Sequence, residues 1–383
     1  MRVADLFCGC GGISAGFQAA NHEIVFAAEN WSRARLVYDR NFDHGSTRLD
    51  LTDIVEAAFA VSRERPEVIA GGPPCQEFSA AGPRTEAARA DLTVGFAEIV
   101  RACRPTWFVM ENVPAAAASK AWGTARVRLN RAGYGITEVV LDASLYGVPQ
   151  LRKRLFLIGR LDEDDGFLVD DLKTAGADRP LSVRGYLGDE LGVEYYYRHP
   201  RHWGRRAIYS IDEPAATVRS TNRPIPPKYT SHPLDAAPIA GVKPLTARQR
   251  ARLQTFGREF RFDRNLRAWE VDTMVANAVP VGLAQHLGEA MACYENPRNR
   301  ESHEKEFRNW LQEMRSYTDR SAGNVISRLK RARRIVGVER RFADTRDELI
   351  ALERMPEFAA LSGSVRSQLK RAIILLSEFS HRS

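Results

Sequence analysis

Asp5-Leu6-Phe7-Cys8-Gly9-Cys10-Gly11-Gly12-Ile13-Ser14-Ala15-Gly16-Phe17 is a glycine-rich turn that closes a short apolar run, Arg2 to Phe7, and opens an amphipathic stretch, Ser14 to Ala20. Strand, tight turn and helix in that order form the first unit of an open parallel sheet. Working outward, apolar runs of strand length recur at Glu23 to Ala28, Val68 to Gly71, Trp107 to Glu111, Ile136 to Leu141 and Leu155 to Gly159. Helices are expected between them, notably Thr52 to Arg63 and Val94 to Cys103. The alternation predicts an α/β class with a Rossmann-like, open parallel sheet over residues 1–160. Such a sheet gathers its ligand sites in the crevice at the carboxyl ends of its strands.

The rest of the chain has a different texture. Residues 161–243 are rich in Pro, Arg, Tyr and His, as in Arg223-Pro224-Ile225-Pro226-Pro227-Lys228-Tyr229, and predict a small loop-rich second domain. Residues 296–383 carry helical periodicity, with Phe307, Trp310, Leu311 and Met314 on one face and Val325, Ile326, Leu329, Ala332 and Ile335 on another, which predicts an all-α appendage of four or so helices. That last segment holds 19 Lys plus Arg against 12 Asp plus Glu, most of the net charge of +8 of the 383-residue chain. A basic excess favours a polyanionic partner, because cations displace counterions from phosphates. No uncharged apolar run approaches membrane-spanning length, and five scattered cysteines make no disulfide framework, so a cytoplasmic protein is expected.

Chemistry concentrates on the strand ends. The glycines of the first turn let a ligand approach the backbone, and Glu29, closing the second strand, is placed to accept hydrogen bonds from ribose hydroxyls. The turn has no lysine, which disfavours a triphosphate and favours an adenosine cofactor without phosphates. The loop after the third strand reads Gly72-Pro73-Pro74-Cys75-Gln76, where two prolines restrict the backbone ahead of a thiol. The next strand ends Glu111-Asn112-Val113, bringing a carboxyl group to the same rim. Thiolate and carboxyl side by side suit attack on an electron-poor ring whose nitrogen is protonated as the ring is attacked. A solitary cysteine is more often inert, and these residues alone leave both readings open.

The ordered motifs decide between them. The sequence resembles the cytosine carbon-5 DNA methyltransferases of bacterial restriction-modification type over residues 1 to 292. Asp5 to Gly12 looks like their cofactor loop, Pro73-Pro74-Cys75-Gln76 their nucleophile loop, and Glu111-Asn112-Val113 their carboxyl motif. Gln150-Leu151-Arg152-Lys153-Arg154 matches Gln-x-Arg-x-Arg, Leu245 to Arg250 the penultimate motif, and Asn277-Ala278-Val279-Pro280 the last. The resemblance implies S-adenosyl-L-methionine as methyl donor, with S-adenosyl-L-homocysteine as product, and double-stranded DNA as partner. It implies that Cys75 adds to carbon 6 of a flipped cytosine, that Glu111 engages the ring nitrogen and exocyclic amine, and that Arg152 and Arg154 hold the base oxygen and adjacent phosphate. Phe7 is implied on the adenine, Glu29 on the ribose and Asp50 on the adenine amine. Leu92 and Asn277 fall along the methionine end, with Gly9 and Gly11 giving close backbone approach. Residues 161–243 become the target recognition domain and 244–295 a return to the catalytic domain. Gln150, Arg219, Thr221, Asn222 and Arg223 are expected to reach DNA. A cognate restriction endonuclease without a stable complex, a monomer and a nucleoid setting complete the expectation. Asn30, Ala276 and Gly257 depart from the family's usual residues, and none is a reacting group.

Other readings stay beside these. Cys8 and Cys10 could form half a metal site but lack a second ligand pair, so no metal is expected. Cys103 and Cys293 read as packing residues, and His199, His202 and Trp203 as a surface loop touching DNA. A charged loop at Arg219 to Arg223 is often merely solvated. The basic C-terminal helices suit a DNA clamp or a protein partner. A tRNA cytosine methyltransferase and a non-catalytic DNA-binding regulator are the competing functions.

Overall fold

A computed structural model describes residues 1–74, 86–174, 176–202, 204–296, 307–336 and 345–380. Its centre is a six-stranded sheet formed by β1 (Arg2–Leu6), β2 (Glu23–Ala28), β3 (Val68–Gly71), β4 (Trp107–Asn112), β5 (Tyr134–Asp142) and, after the two-residue β6 (Gln150–Leu151), β7 (Lys153–Leu161). The spatial order is β2-β1-β3-β4-β7-β5. Every strand run expected from the sequence is present. Strand β7, however, runs antiparallel to both β4 and β5. The reason lies in the connection: β5 ends at Asp142 and β7 starts at Lys153, with only a 3-10 turn, Ala143–Leu145, and β6 between them. No crossover helix fits, so the chain turns back on itself. This reversal brings the amino end of β7, with Arg154, to the rim where the parallel strands end.

Chain order switches direction at β1, whose neighbours are β2 on one side and β3 on the other, and this makes the crevice at its carboxyl end. On one face of the sheet lie α3 (Ile54–Arg63), α4 (Glu86–Cys103) and α5 (Lys120–Arg131), whose apolar sides bury Val61, Phe96, Val100, Trp122 and Leu129. The first and last of these are capped by Asp53, which accepts from the Glu56 N–H at 3.0 Å, and Ser119, which accepts from the Trp122 N–H at 3.2 Å. On the other face α1 (Gly12–Ala19) packs against α10 (Val281–Glu295), 270 residues later. A Cβ on Gly16 would stand 2.5 Å from that of Ala284, so the glycine sets how closely the two helices approach. Two helices far apart in the chain are thereby held against one face of the same sheet.

Between these halves, α2 (Ser32–Tyr38) lies on the cofactor side, and α6 (Val169–Thr174) and α7 (Val183–Leu187) lead into short strands β8 (Tyr195–Tyr197), β9 (Ile208–Ser210), β10 (Ala215–Ala216) and β11 (Lys243–Pro244). Strands β11, β8 and β9 form a small sheet, and β10 pairs with β6. Helices α8 (Ala247–Leu253) and α9 (Ala268–Asn277) complete this middle layer; α8 starts in a capping box between Thr246 and Gln249. Residues 161–243 are thus less loop-like than their composition suggests, because two-residue and three-residue strands leave almost no periodic signal.

The C-terminal region is helical, with α11 over 307–315, α12 (Asp319–Val336), α13 (Thr345–Glu353), α14 (Pro356–Ala359) and α15 (Gly363–Ser380). It has its own apolar cluster, in which Phe307, Trp310, Val325, Leu329, Leu352 and Ile373 are buried. No described helix is long and apolar enough to cross a membrane.

Candidate active site

The cofactor loop is shaped by its backbone. Phe7 and Gly9 both take positive φ, 61° and 56°, and the Cys8 N–H donates to the Ala28 carbonyl at 3.0 Å, stitching the loop to the end of β2. Glu29 is held there: Oε2 accepts from the Gly9 N–H at 3.0 Å and Oε1 from the Trp31 N–H at 2.7 Å. A Cβ on Gly9 would meet nothing within 4 Å, so this glycine faces open space beside the fixed carboxylate. Gly11 is different. Its φ is 97° and a Cβ there would fall 2.2 Å from the Phe42 ring, so the packing of α2 and its following turn by itself demands glycine at this position.

Of the other expected cofactor residues, Leu92 is half-buried against the α3–α5 face, and Asn277 is exposed at the end of α9. Asp50 is exposed and accepts through Oδ1 from the N–H and hydroxyl of Thr52 at 3.0 and 2.8 Å. Asp5, to which the sequence reading gave no role, is fully buried at the foot of the loop. Its Oδ2 accepts from the N–H and hydroxyl of Ser14, at 3.1 and 2.6 Å, whereas Oδ1 has no protein donor. Burial pushes this carboxyl up to about 7. A carboxylate inside an otherwise apolar strand was the signal that could have found it. Cys8 and Cys10 are buried nearby, and burial raises both thiols, Cys10 to about 12.

Cys75 and Trp203 lie outside the described residues, but the stem of the Cys75 loop does not. Asn112 at the end of β4 donates from Nδ2 to the Pro73 carbonyl at 3.2 Å, and a Cβ on Gly72 would sit 2.9 Å from Glu111 Oε2. The carboxyl group therefore lies directly against the chain that leads to Cys75. Across the antiparallel junction, Phe156 of β7 pairs with Glu111, which places Arg154 beyond it, and the Arg154 Nε–H donates to Glu111 Oε1 at 2.8 Å. Both side chains are nearly buried, at 12% and 10% exposure. Burial raises the Glu111 carboxyl above its ordinary range, against the opposing pull of Arg154 and Arg152. A carboxyl group raised in this way holds a proton more readily than an ordinary carboxyl does.

Two expected contact residues are used inside the protein instead. Arg152 is 1% exposed and donates to the carbonyls of Val218, Ala276 and Ala278, at 3.3, 2.7 and 3.1 Å. It is a brace behind Arg154 and Glu111, and the expectation that it holds a base or phosphate does not fit that placement. Gln150 is fully buried. Its carbonyl accepts from the Val218 N–H at 2.8 Å and its amide donates to Leu253 O and Gln254 Oε1, at 3.1 and 3.0 Å. The β6–β10 pairing lays residues 215–218 over it, so the Gln150 side chain ties that segment to β6 and is spent on protein partners, a placement that does not fit the expected contact with DNA.

Arg219, Thr221 and Asn222 line one cavity in the recognition segment, together with Tyr196, Arg198 and Arg250, and Arg223 is exposed. The Arg219 guanidinium donates to the His199 carbonyl, while its Nε is buried without a protein acceptor. Burial, with Arg198 and Arg201 close by, lowers Arg219 to about 10. Arg250 pairs with buried Asp272 and donates to the Arg219 carbonyl. The cavity is a concentration of cations with one compensating carboxylate, and Arg198 and Arg250 were missed because they sit 21 and 31 residues to either side of Arg219.

A model of the family described as C-5 cytosine-specific DNA methylase matches residues 1–175 and 188–293. The type II methyltransferase M.HgiDI of Herpetosiphon aurantiacus is 47% identical over 297 residues, which cover 77% of this chain and 96% of that one. The type II methyltransferase M.HindV of Haemophilus influenzae is 45% identical over 298 residues, 77% of this chain and 97% of its own. Among solved structures, the S. pombe Dnmt2 methyltransferase aligns with a TM-score of 0.59 at 17% identity, covering 77% of this chain and 99% of that one. A putative DNA modification methyltransferase encoded within an E. coli prophage gives 0.57 at 21% identity, with 76% and 98% covered. At those identities the two structures speak for the fold, a methyltransferase α/β sheet. With the family model spanning the cofactor loop, the Glu111 strand and the returning helices, the chain belongs to the C-5 cytosine-specific DNA methylase family, on its bacterial restriction-modification branch.

Proposed function

We propose that the protein transfers a methyl group from S-adenosylmethionine to carbon 5 of a cytosine in one specific double-stranded DNA sequence, through a transient covalent bond between Cys75 and carbon 6 of the flipped base. The observation that carries the proposal is the buried Glu111–Arg154 pair set against the stem of the Cys75 loop. The loop at Phe7 to Gly11 suits the donor: Gly9 opens onto free space, Glu29 is oriented by two backbone N–H groups, and no lysine is present to meet a triphosphate. Glu29 and Asp50 would hold the ribose and adenine, Phe7 would pack on the adenine, and Leu92 and Asn277 would line the other end. When bound, S-adenosylmethionine supplies an electrophilic methyl carbon on its sulfonium.

The residues of the chain do the rest. The Cys75 thiolate bonds to carbon 6, the electron pair of the 5,6 double bond shifts between carbons 5 and 4, that of the 3,4 bond moves onto nitrogen 3, and Glu111 supplies the proton or hydrogen bond that offsets the charge there. Carbon 5 becomes nucleophilic. After methylation, loss of the carbon 5 proton re-forms the double bond and expels the Cys75 thiolate. Arg154 keeps the Glu111 carboxyl in place and in balance throughout. Arg219, Thr221, Asn222 and Arg223 would contact the target DNA. In its host the monomeric enzyme would work at the nucleoid in the cytoplasm, protecting the DNA against a cognate restriction endonuclease.

Incubation with tritiated S-adenosylmethionine and mixed-sequence duplex DNA is expected to label carbon 5 of cytosine, and Cys75→Ser to abolish labelling. Bisulfite sequencing of a host that expresses the gene reads target and chemistry together. An unlabelled duplex, or a Cys75→Ser enzyme at parental rate, overturns the proposal.

A further inference from the structure

We infer that the C-terminal helical region is a second DNA-binding element, which grips the phosphate backbone through the outward face of α12. The charge of the chain is divided very unevenly. Residues 1–295 are almost balanced, 37 Lys plus Arg against 36 Asp plus Glu, whereas residues 296–383 hold 19 against 12. The methylase portion, as matched by the family, ends at residue 293. The basic excess therefore belongs to an added unit with an apolar core of its own.

Within that unit the charge is ordered. Helix α12 carries six Lys or Arg and one acid, Asp319, in 18 residues. Val325, Ile326, Leu329, Ala332 and Val336 face the core and are buried. At 100° per residue, Arg320, Asn324, Ser327 and Arg331 fall on the opposite side, and all four are exposed; Arg328 is half-exposed at the edge of the same stripe. From Arg320 to Arg331 the stripe runs about 16 Å, long enough to follow several phosphates of one strand.

A merely solvated basic helix intersperses its cations with acids, as the neighbours of α12 do. There Lys370 pairs with Glu353, Arg315 with Glu378 at 2.6 Å, and Arg333, on the flank of α12, meets Glu348 at 3.7 Å. Among the described residues the stripe has no such partners. Asp319 is occupied by Arg308 and Gln312, at 3.0 and 3.1 Å, and among the described residues no carboxylate pairs with Arg320, Arg328 or Arg331. Cations kept apart from acids, with short polar Asn324 and Ser327 between them, suit a partner that brings its own negative charge at regular intervals. Contacts of this kind position a protein on DNA without reading sequence.

The test uses the full chain in a fluorescence-anisotropy titration with a duplex lacking any preferred sequence, over a series of salt concentrations. The variant is R320Q/R328Q/R331Q, which leaves the core face untouched; the control, R63Q/R65Q/R131Q, removes the same charge from the exposed ends of α3 and α5. The α12 variant is expected to weaken binding at least tenfold at low salt and to flatten the slope of log affinity against log salt by about 2 to 3. The control is expected to do neither, and methyl transfer at saturating DNA to stay within twofold for both. Parental affinity and slope in the α12 variant overturn the inference and point to a protein partner for this face. Equal losses in variant and control also overturn it, since net charge alone then explains the binding. Binding is read without methyl transfer, so failure here is distinct from failure of the proposed reaction.

Discussion

Arg154 and Glu111 stand on neighbouring strands of opposite direction and join Nε to Oε1 at 2.8 Å, with the Glu111 carboxyl also against the backbone of Gly72. The pair exists because β7 is the one reversed strand of the sheet.

Removing the arginine leaves Glu111 buried without its principal cation. Arg154→Ala is expected to lower the single-turnover rate by roughly 100-fold or more, in the range of losing one preorganised charged donor. The sign of the pH effect follows from the same balance. Burial raises the carboxyl and Arg154 lowers it, so without Arg154 it keeps its proton to higher pH, and the alkaline limb of the rate profile moves upward. A pH profile of single-turnover rates checks this, and a limb that moves down or stays in place contradicts the balance.

Asp5 links stability to pH. Its carboxyl is raised from 3.8 to about 7 in the fold, so the native protein binds about one more proton than the unfolded chain between those values, and stability falls as pH rises through that window. The full effect above pH 7 is on the order of 4 kcal/mol. Asp5→Asn keeps an acceptor for Ser14 and removes the charge. Urea melts from pH 4 to 8 are expected to show a decline in stability flatter by about one proton in the variant.

The two loop glycines separate fold from ligand. Gly11→Ala forces a side chain into the Phe42 ring at φ 97°, and a loss of roughly 2 to 4 kcal/mol in denaturant unfolding is expected. Gly9→Ala meets open space and only the left-handed backbone, for about 1 kcal/mol. Its larger effect is expected in calorimetric titration with S-adenosylmethionine, as an affinity lowered tenfold or more.

Gln150→Leu strands the Val218 N–H, whose buried partner is lost, at about 1 to 3 kcal/mol. Because the polar atoms of Gln150 are taken up by Val218, Leu253 and Gln254, the salt slope of DNA binding is expected to stay parental. A changed slope would return the residue to the interface.

Arg219→Gln removes one cation from the crowded cavity beside Arg198 and Arg250. The KM for target DNA is expected to rise about tenfold with kcat changed less than threefold, and the fold to hold, since like-charge repulsion is relieved. Steady-state kinetics on a methylatable duplex separates the two constants.

Some of this was settled along the chain itself. Apolar runs of strand length and the glycine turn after the first of them encode element type, because burial periodicity and backbone permissiveness are local properties, and six short motifs in order encode the family. The charge of the C-terminal helices and their apolar faces were equally plain. Pairing was not. The direction of β7 depends on the ten residues that join it to β5, and that direction alone brings Arg154 to Glu111. Gln150 and Arg152 carry a family signature suited to DNA, yet the partners that bury them arrive 66 to 126 residues later, from the segment after β10 and from α8, α9 and their ends. Whether a polar side chain faces solvent or another backbone is decided by which distant segment covers it, and only the packed tertiary structure supplies that segment.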